Sequence, residues 1–132
     1  MRSLTEGEEF VAPPWRIEAS RVRDYLDAVG DALPIYDELG VAPPLMVAAQ
    51  AMGIMLERLA LPPGAIHMSQ ELEFPNLARA GEEATCSIVL ARVSVRGGMR
   101  VLVAEFIVAG QGGRPLVTGK STVMAPQEGG SP

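Results

Sequence analysis

The stretch that decides the fold of this chain is residues 42–59, which read APPLMVAAQAMGIMLERL. Two prolines lie near its start, and proline fits the first turn of a helix because a backbone N–H has no intrahelical partner there. The side chains that follow are apolar on nearly every side of a helix, with Gln50, Glu57 and Arg58 as interruptions. A helix of this kind is enclosed by other structure on most sides. The sequence therefore predicts a buried central helix, which the Pro-Pro-Gly at residues 62–64 ends.

A second, amphipathic helix is predicted upstream, from Arg21 to Val29. Its apolar residues recur at the helical spacing and form one stripe: Val22, Tyr25, Leu26 and Val29. Ser20 is a good N-cap residue, because its hydroxyl can accept a hydrogen bond from a first-turn amide. Gly30 is well placed to end the helix, because glycine adopts the left-handed conformation found after a helix without strain.

Beyond residue 65 the hydrophobic period changes from that of a helix to that of a strand. Four long strands are predicted at residues 66–74, 84–95, 99–108 and 116–124, with a short edge strand near residues 15–17. On the first long strand Met68, Leu72 and Phe74 are predicted to share one face. The Gly97-Gly98 pair supplies a hairpin turn, and Gly119 is a candidate bulge.

This element order, two helices and then a run of antiparallel strands, is that of an α+β domain with its helices on one face of the sheet. In a hotdog fold an antiparallel sheet wraps around one hydrophobic central helix, which buries both the helix and the apolar face of the sheet. A cystatin-like grip or a cone-shaped α+β fold satisfies the same periodicity, so periodicity alone leaves these alternatives open. A length of 132 residues suits one domain. We assign residues 10–125 to it and expect residues 1–9 and 126–132 to be flexible ends.

Composition excludes several classes of function. The formal net charge is −5, whereas a nucleic-acid partner requires a basic face. The sequence has no metal-ligand cluster, P-loop, dinucleotide fingerprint or nucleophile elbow, so we expect neither a metal nor a cofactor. The single cysteine, Cys86, fits a reducing cytoplasm and a buried, inert position. The N-terminus is polar, unlike a signal peptide, and the longest apolar stretch is short for a bilayer span, so we expect a cytoplasmic protein without a membrane partner.

Three local motifs raise the hotdog alternative above the others. Residues 30–36 read GDALPIY after the first helix, residues 42–44 read APP at the start of the second, and residues 67–74 read HMSQELEF in the first long strand. In this order and spacing they resemble the N-terminal, dehydratase-like half of MaoC-like hydratase/dehydratase proteins. In that family a Gly-Asp-x-Asn-Pro-Leu-Tyr-like run, an Ala-Pro-Pro and a His-x-x-Gln-Glu-Phe strand follow one another. The resemblance extends from about Phe10 to Ala125 and implies one hotdog domain.

The resemblance places Asp31 and Tyr36 in the catalytic slots of the family. Active members carry an Asp and a His there, which together activate one water for addition across the double bond of a trans-2-enoyl thioester. Here the His slot holds Tyr36, and the Asn slot of the same run holds Leu33. A phenol with a pKa of about 10 is a poor general base at neutral pH, so Tyr36 is not expected to replace the histidine. Asp31 alone could act as the base, with a loss of rate.

The substrate contacts implied by the resemblance are the first-turn amides of the central helix, around Leu45 and Met46. Such amides have no intrahelical partner and stabilise charge that develops on a thioester carbonyl. The two prolines before them contribute no N–H, so fewer donors remain. His67, the only histidine, stands where the family favours histidine, which implies a structural hydrogen bond, an interface or a substrate contact. The segment at residues 37–41 is shorter than the usual cover of the acyl pocket, which implies a more open site.

Three functions fit these features. The first is a non-catalytic subunit of an (R)-specific enoyl-CoA hydratase or 3-hydroxyacyl-thioester dehydratase, paired with a catalytic MaoC-like partner and forming part of the pocket for an acyl-CoA or acyl-carrier-protein thioester. The second is a self-sufficient homodimeric hydratase or thioesterase that uses Asp31, or Glu57 for thioester hydrolysis. The third is an acyl-thioester binding or structural module without chemistry. All three predict a homodimer or a heterodimer, because a hotdog sheet covers its edges by pairing with a second hotdog.

Overall fold

The computed structural model describes residues 4–31 and 35–127. Its helices are α1 (Ala19–Val29), α2 (Ile35–Leu39) and α3 (Pro44–Leu59). Its strands are β1 (Glu9–Val11), β2 (Trp15–Arg16), β3 (Val41–Ala42), β4 (Ile66–Glu73), β5 (Ala78–Arg79), β6 (Glu83–Arg96), β7 (Met99–Ala109) and β8 (Pro115–Pro126). The main sheet has the order β1-β6-β7-β8-β4 with antiparallel pairs, β2 also pairs with β6, and β3 and β5 form a separate ladder.

The centre of the sheet is built from β6, β7 and β8, whose register lines up alternate side chains on the face that packs against α3. In one row of this face Ile88 of β6 lies opposite Phe106 of β7, which lies opposite Gly119 of β8. A Cβ atom at Gly119 would overlap the Phe106 ring, so the glycine makes room for a large core side chain. The predicted bulge at Gly119 is therefore wrong: the register is continuous there, and the irregularity between β7 and β8 lies after Val108.

The first helix begins slightly earlier than predicted and ends where predicted. Glu18 rather than Ser20 occupies the N-cap position of α1, and it makes no side-chain capping bond. Gly30 adopts the left-handed conformation, with φ of 73°. The amide of Asp31 then donates to the carbonyl of Leu26 at 2.9 Å, a bond that satisfies a carbonyl at the helix end and fixes the backbone at Asp31.

The central helix forms over the predicted stretch, as α3. Its inner face is buried in the core: Met46, Val47, Ala48, Ala51, Met55 and Leu59. The expectation that the helix is enclosed on most sides is wrong for its outer face, where Leu45 is 59% and Leu56 44% exposed. Periodicity could not separate these cases, because an apolar face looks the same in the sequence whether the chain or a partner covers it.

The first long strand differs most from its prediction. Its alternating pattern predicts one buried face, but all residues of β4 are exposed except Leu72, which is half-buried. The register with β8 shifts between His67 and Ser69, so Met68 has no partner residue in β8. Within the described residues β4 pairs with β8 alone, so its outer edge is free.

Both chain ends contribute more to the fold than the sequence predicts. Leu4 is buried and belongs to the core. The amide of Gly7 donates to the carbonyl of Leu90 at 2.7 Å, and the amide of Leu90 donates to Glu8 at 2.9 Å. At the other end β8 includes Pro126. Residues 4–9 therefore contact the core and β6, and β8 extends to Pro126. The expectation of flexible ends stays a prediction, and residues 1–3 and 128–132 lie outside the described ranges.

A buried carboxylate ties the β3–β5 ladder to the turn between β7 and β8. The Glu82 side chain is 3% exposed and accepts hydrogen bonds from the amides of Arg79 and Gln111 and from the guanidinium of Arg114, the last two at 2.8 Å. Burial by itself raises the pKa of Glu82, but the two amides and the Arg114 guanidinium outweigh it and hold the pKa below its ordinary value. The β5 strand in turn pairs with β3, which directly precedes α3.

Candidate functional site

We take as the candidate site the surface where α3 meets the part of the sheet that ends in the edge strand β4. The hydroxyl of Ser121 in β8 donates to the sulfur of Met52 in α3, with the two atoms 3.5 Å apart. Ser121 is buried and lies opposite Gln70 of β4, so this surface continues from β8 to β4. We call this region the edge slot and define it by seven residues: Leu45, Met52 and Leu56 of α3, His67, Gln70 and Leu72 of β4, and Ser121 of β8.

The helix supplies an apolar wall to the edge slot. Leu45, Met52 and Leu56 are separated by seven and four residues, which places them on one stripe of a helix. The contact between Met52 and Ser121 shows that this stripe faces β8. Leu45 and Leu56 are exposed on it, so this side of α3 offers apolar surface.

The edge strand supplies a more polar floor. His67, Gln70 and Leu72 lie opposite residues of β8 on the side of the sheet that packs against α3, namely Val123, Ser121 and Gly119. The structure thus places His67, which the sequence offered as a contact residue, on β4 with its side chain exposed. Among the described residues no strand lies beyond β4, so the edge slot is open on that side.

The structure separates the two residues that were predicted to supply thioester-binding amides. Met46 is buried, and its amide donates to the carbonyl of Pro43 at 3.1 Å. The amide of Val47 donates to the same carbonyl at 3.4 Å. The role of the Met46 amide stays a prediction, although the carbonyl of the N-cap residue already accepts a hydrogen bond from it. The amide of Leu45 donates to no backbone carbonyl within the described ranges, so it is the donor that α3 offers at its first turn.

Asp31 and Tyr36 are held by different elements. Asp31 is half-buried directly after α1, where the helix end fixes its backbone. Tyr36 lies in α2 and is half-buried against the core. Leu33, between them, lies outside the described residues. The assignment of Asp31 and Tyr36 to the catalytic slots stays a prediction, and the packing of Tyr36 gives its phenol a structural role in addition.

A separate cleft of about 500 Å³ lies on the other side of α3, against α1. It is lined by Glu18, Ser20, Arg21, Asp24, Tyr25, Met46, Ala49 and Gln50. The indole N–H of Trp15 donates to the side-chain oxygen of Gln50 at 3.1 Å and ties β2 to α3 beside it. Asp31, Tyr36 and His67 are not among its lining residues, so this cleft does not contain the two residues predicted for the catalytic slots or the only histidine.

Other candidate chemistries find little support. Burial raises the pKa of the Cys86 thiol to about 11, so this thiol is protonated and unreactive at neutral pH, as the sequence predicts. Within residues 4–31 and 35–127, no group of three or more His, Cys, Asp or Glu side chains is placed to hold a metal ion. None of the helices described is long and apolar enough to cross a membrane.

Sequence reasoning missed five residues of the edge slot: Met52, Leu56, Gln70, Leu72 and Ser121. Gln70 stood inside the quoted β4 motif, and Ser121 is a polar residue at a position of β8 whose alternation predicts the inner face. Both signals were visible in the sequence. What joins them is the register between β4 and β8, which no local pattern specifies.

Comparison with known proteins identifies the family of the chain. Residues 5–119 match the family described as FAS1-like, dehydratase domain region. Because this match covers most of the chain, the protein belongs to that family. No curated protein matches the sequence significantly.

Solved structures give the same fold. The (R)-hydratase from A. caviae involved in PHA biosynthesis is similar with a TM-score of 0.79 and 20% identity, over 96% of this chain and 100% of that one. The MaoC-like dehydratase from Rhodospirillum rubrum gives 0.78 and 20%, over 93% of each chain. The C-terminally truncated HadBC (3R-hydroxyacyl-ACP dehydratase) complex from Mycobacterium tuberculosis gives 0.76 and 19%, over 95% of this chain and 100% of that one. These structures show that the chain has the hotdog fold, which confirms the predicted α+β fold. The family match over residues 5–119 confirms the resemblance to dehydratases of this kind.

Proposed function

We propose that this chain is a non-catalytic subunit of an enoyl-thioester hydratase or 3-hydroxyacyl-thioester dehydratase, and that it pairs along β4 with a catalytic MaoC-like subunit. The observation that carries the proposal is the exposed outer edge of β4, which borders the edge slot and pairs with no strand among the described residues. A second hotdog whose edge strand continues the sheet would close it. The similarity to a dehydratase described as a complex supports a two-chain arrangement.

The chemistry of the edge slot favours binding over proton transfer. Leu45, Met52 and Leu56 offer apolar contact to an acyl chain, while the Leu45 amide can donate to a thioester oxygen. The phenol of Tyr36 stands in the family's histidine slot and is a poor base at neutral pH. The catalytic Asp and His would therefore come from the partner, and this chain would contribute one side of an acyl-CoA or acyl-carrier-protein pocket in the cytoplasm.

The reaction assigned to the pair is the addition of water to a trans-2-enoyl thioester, or its reversal. A base on the partner takes a proton from water, the water oxygen bonds to C3, and the negative charge that develops on the thioester oxygen is stabilised by backbone donors until C2 takes up a proton. The Leu45 amide is the donor that this chain would place at that oxygen.

The first experiment measures hydration of crotonyl-CoA and of longer enoyl-CoA thioesters by the purified chain, with Asp31→Asn as the matched variant. Neither protein is expected to exceed background, while a mixture with a catalytic MaoC-like subunit is expected to exceed that subunit alone. Turnover by the isolated chain that disappears in Asp31→Asn would overturn the proposal in favour of a self-sufficient homodimer.

A binding experiment tests the edge slot independently of catalysis. A saturated acyl-CoA should raise the melting temperature of the mixed pair, because it binds the folded state. Met52→Trp should remove this increase by filling the slot. Ile54→Trp is the matched control, because Ile54 faces the opposite side of the same helix, toward Trp15 and Arg16, and it should leave the increase intact. Equal loss in both variants would contradict the assignment of the slot.

A further inference from the structure

We infer that β4 is built to pair with a strand of complementary charge pattern, and that this selects a different chain over a second copy of this one. The inference rests on the proposed function, because it specifies the partner that closes the edge slot. It is carried by the order of charges along β4, the charges next to that strand, and the geometry of antiparallel pairing.

The two halves of β4 differ in chemistry. In the first half Ile66 is 58% and Met68 55% exposed. In the second half Glu71 and Glu73 are exposed. The strand, IHMSQELE, contains no Lys or Arg. The free edge thus presents an apolar half followed by an acidic half.

The neighbouring strands do not neutralise the acidic half. Glu71 lies opposite Lys120 of β8, but Lys120 also lies opposite Glu105 of β7. Glu73 lies opposite Thr118, which carries no charge. The three carboxylates and the one lysine line the same shallow hollow, so one cation serves three anions and negative charge remains at the free edge.

Pairing with a second copy would bring unlike halves together. When two identical strands pair antiparallel with full overlap, the first residue of one lies opposite the last residue of the other, so Ile66 meets Glu73 of the second copy. The irregularity at Met68 shifts single pairs without changing which halves meet. A carboxylate pressed against an apolar side chain loses water and gains no cation, so this pairing is unfavourable at both ends.

A complementary strand has the reverse order. To oppose β4 in the antiparallel direction, it carries Lys or Arg in its first half, opposite Glu71 and Glu73, and apolar residues in its second half, opposite Ile66 and Met68. Opposite charges and apolar pairs directly across a sheet both stabilise the pairing, and charge complementarity favours the right partner over wrong ones. The partner is therefore a hotdog chain whose free edge strand is basic and then apolar.

A reversed-edge variant of the full chain tests this inference without knowledge of the natural partner. It carries Ile66→Lys, Met68→Lys, Glu71→Leu and Glu73→Leu, all at exposed positions, so it should fold like the wild type; circular dichroism and thermal melting verify this. Mixed with wild-type chain, it should form a heterodimer. Sedimentation velocity should give a Kd at least about tenfold below that of wild-type self-association. This difference in Kd should shrink in 1 M salt, where the Debye length is only about 3 Å and charge pairs are screened.

The matched control is the variant Glu71→Lys with Glu73→Lys. It adds the same number of lysines, but in the half that meets the apolar residues of the wild type, so the mixture should gain nothing over wild-type self-association. Equal binding by this control, or wild-type self-association as tight as the reversed-edge mixture, would overturn the inference. The Kd values from sedimentation do not depend on catalytic turnover. An active isolated chain would remove the proposed function and leave the pairing preference, whereas an inactive chain without a preference would do the opposite.

Discussion

The strands β7 and β4 belong to one sheet, yet β7 buries alternate side chains whereas β4 buries none of its side chains fully. In β7 every second residue from Arg100 to Val108 is buried. In β4 seven of the eight residues are exposed. The first strand has a neighbour on each side and α3 on one face, while the second has a neighbour on one side only. The difference separates the part of the sheet that makes the fold from the part that is available to a partner.

The largest effect on stability is expected in the buried strand of this comparison, β7. Phe106→Ala removes a fully buried ring that packs over Gly119, and should lower the free energy of unfolding by about 3–5 kcal/mol. Urea denaturation measures this change. Ile107→Ala, at the next and exposed position of β7, is the matched control and should cost far less. Equal losses would mean that β7 does not alternate as described.

A smaller effect on stability is expected at Glu82, the buried carboxylate that joins the β3–β5 ladder to the turn between β7 and β8. Glu82→Gln should lower the free energy of unfolding by about 1.5–3 kcal/mol at pH 7, since charge-assisted hydrogen bonds are lost. The pKa of Glu82 is lower in the folded than in the unfolded chain, so its stabilisation is present above the ordinary value of 4.5 and is lost as the pH falls through the folded value.

The pH dependence supplies the control for Glu82. The gap in stability between wild type and Glu82→Gln should narrow on acidification below about pH 4.5. Glu83→Gln, which changes an exposed neighbour, should follow the wild type at each pH. A gap that stays constant down to pH 2 would show that Glu82 is not stabilised as a carboxylate.

A substitution on the outer face of α3 should raise the free energy of unfolding rather than lower it. Gly53 lies in the middle of the helix, and a Cβ there would meet no atom within 4 Å, so Gly53→Ala should raise the free energy of unfolding by about 1 kcal/mol. The exposed residue one turn earlier provides the control, because Ala49→Gly should lower it by a similar amount. A destabilising Gly53→Ala would mean that this face is already covered in the isolated chain.

The smallest effect is expected at the edge strand. Ile66→Thr should change the stability of the isolated chain by less than about 0.5 kcal/mol, because the side chain is exposed. The same substitution should weaken the pairing of β4 with a partner, which sedimentation of the mixture measures. A loss above 1 kcal/mol in thermal or urea unfolding of the isolated chain would show that β4 packs more tightly than its exposure indicates.

How far the sequence predicts the structure differs between these regions. The central helix and the long strands were found because each carries many residues of one period. The short elements β1, β3, α2 and β5 were missed, since two to five residues carry no measurable period. Ser20 was chosen as the N-cap by residue type, but the backbone enters the helix at Glu18. Gly119 resembled a bulge, because only the neighbouring strand reveals the Phe106 ring that requires it.

The candidate site was predicted less completely than the fold. The motifs pointed to Asp31, Tyr36, Leu45 and His67, which the structure places directly after α1, in α2, in α3 and in β4. Leu45 and His67 belong to the edge slot, while the Met46 amide is already used by Pro43. The partners Met52, Gln70 and Ser121 became visible only when the register between β4 and β8 brought them together.

The sequence by itself determined the α+β class, the central helix, the order of the long strands and the family resemblance. All of these follow from the local hydrophobic period, the turn residues and the motifs, each of which involves residues close together in the chain. The tertiary structure alone decided which apolar residues are covered. An apolar pattern reports the tendency to leave water, whereas coverage depends on which strand lies next, and β4 is the strand that has no neighbour on its outer side within the described chain.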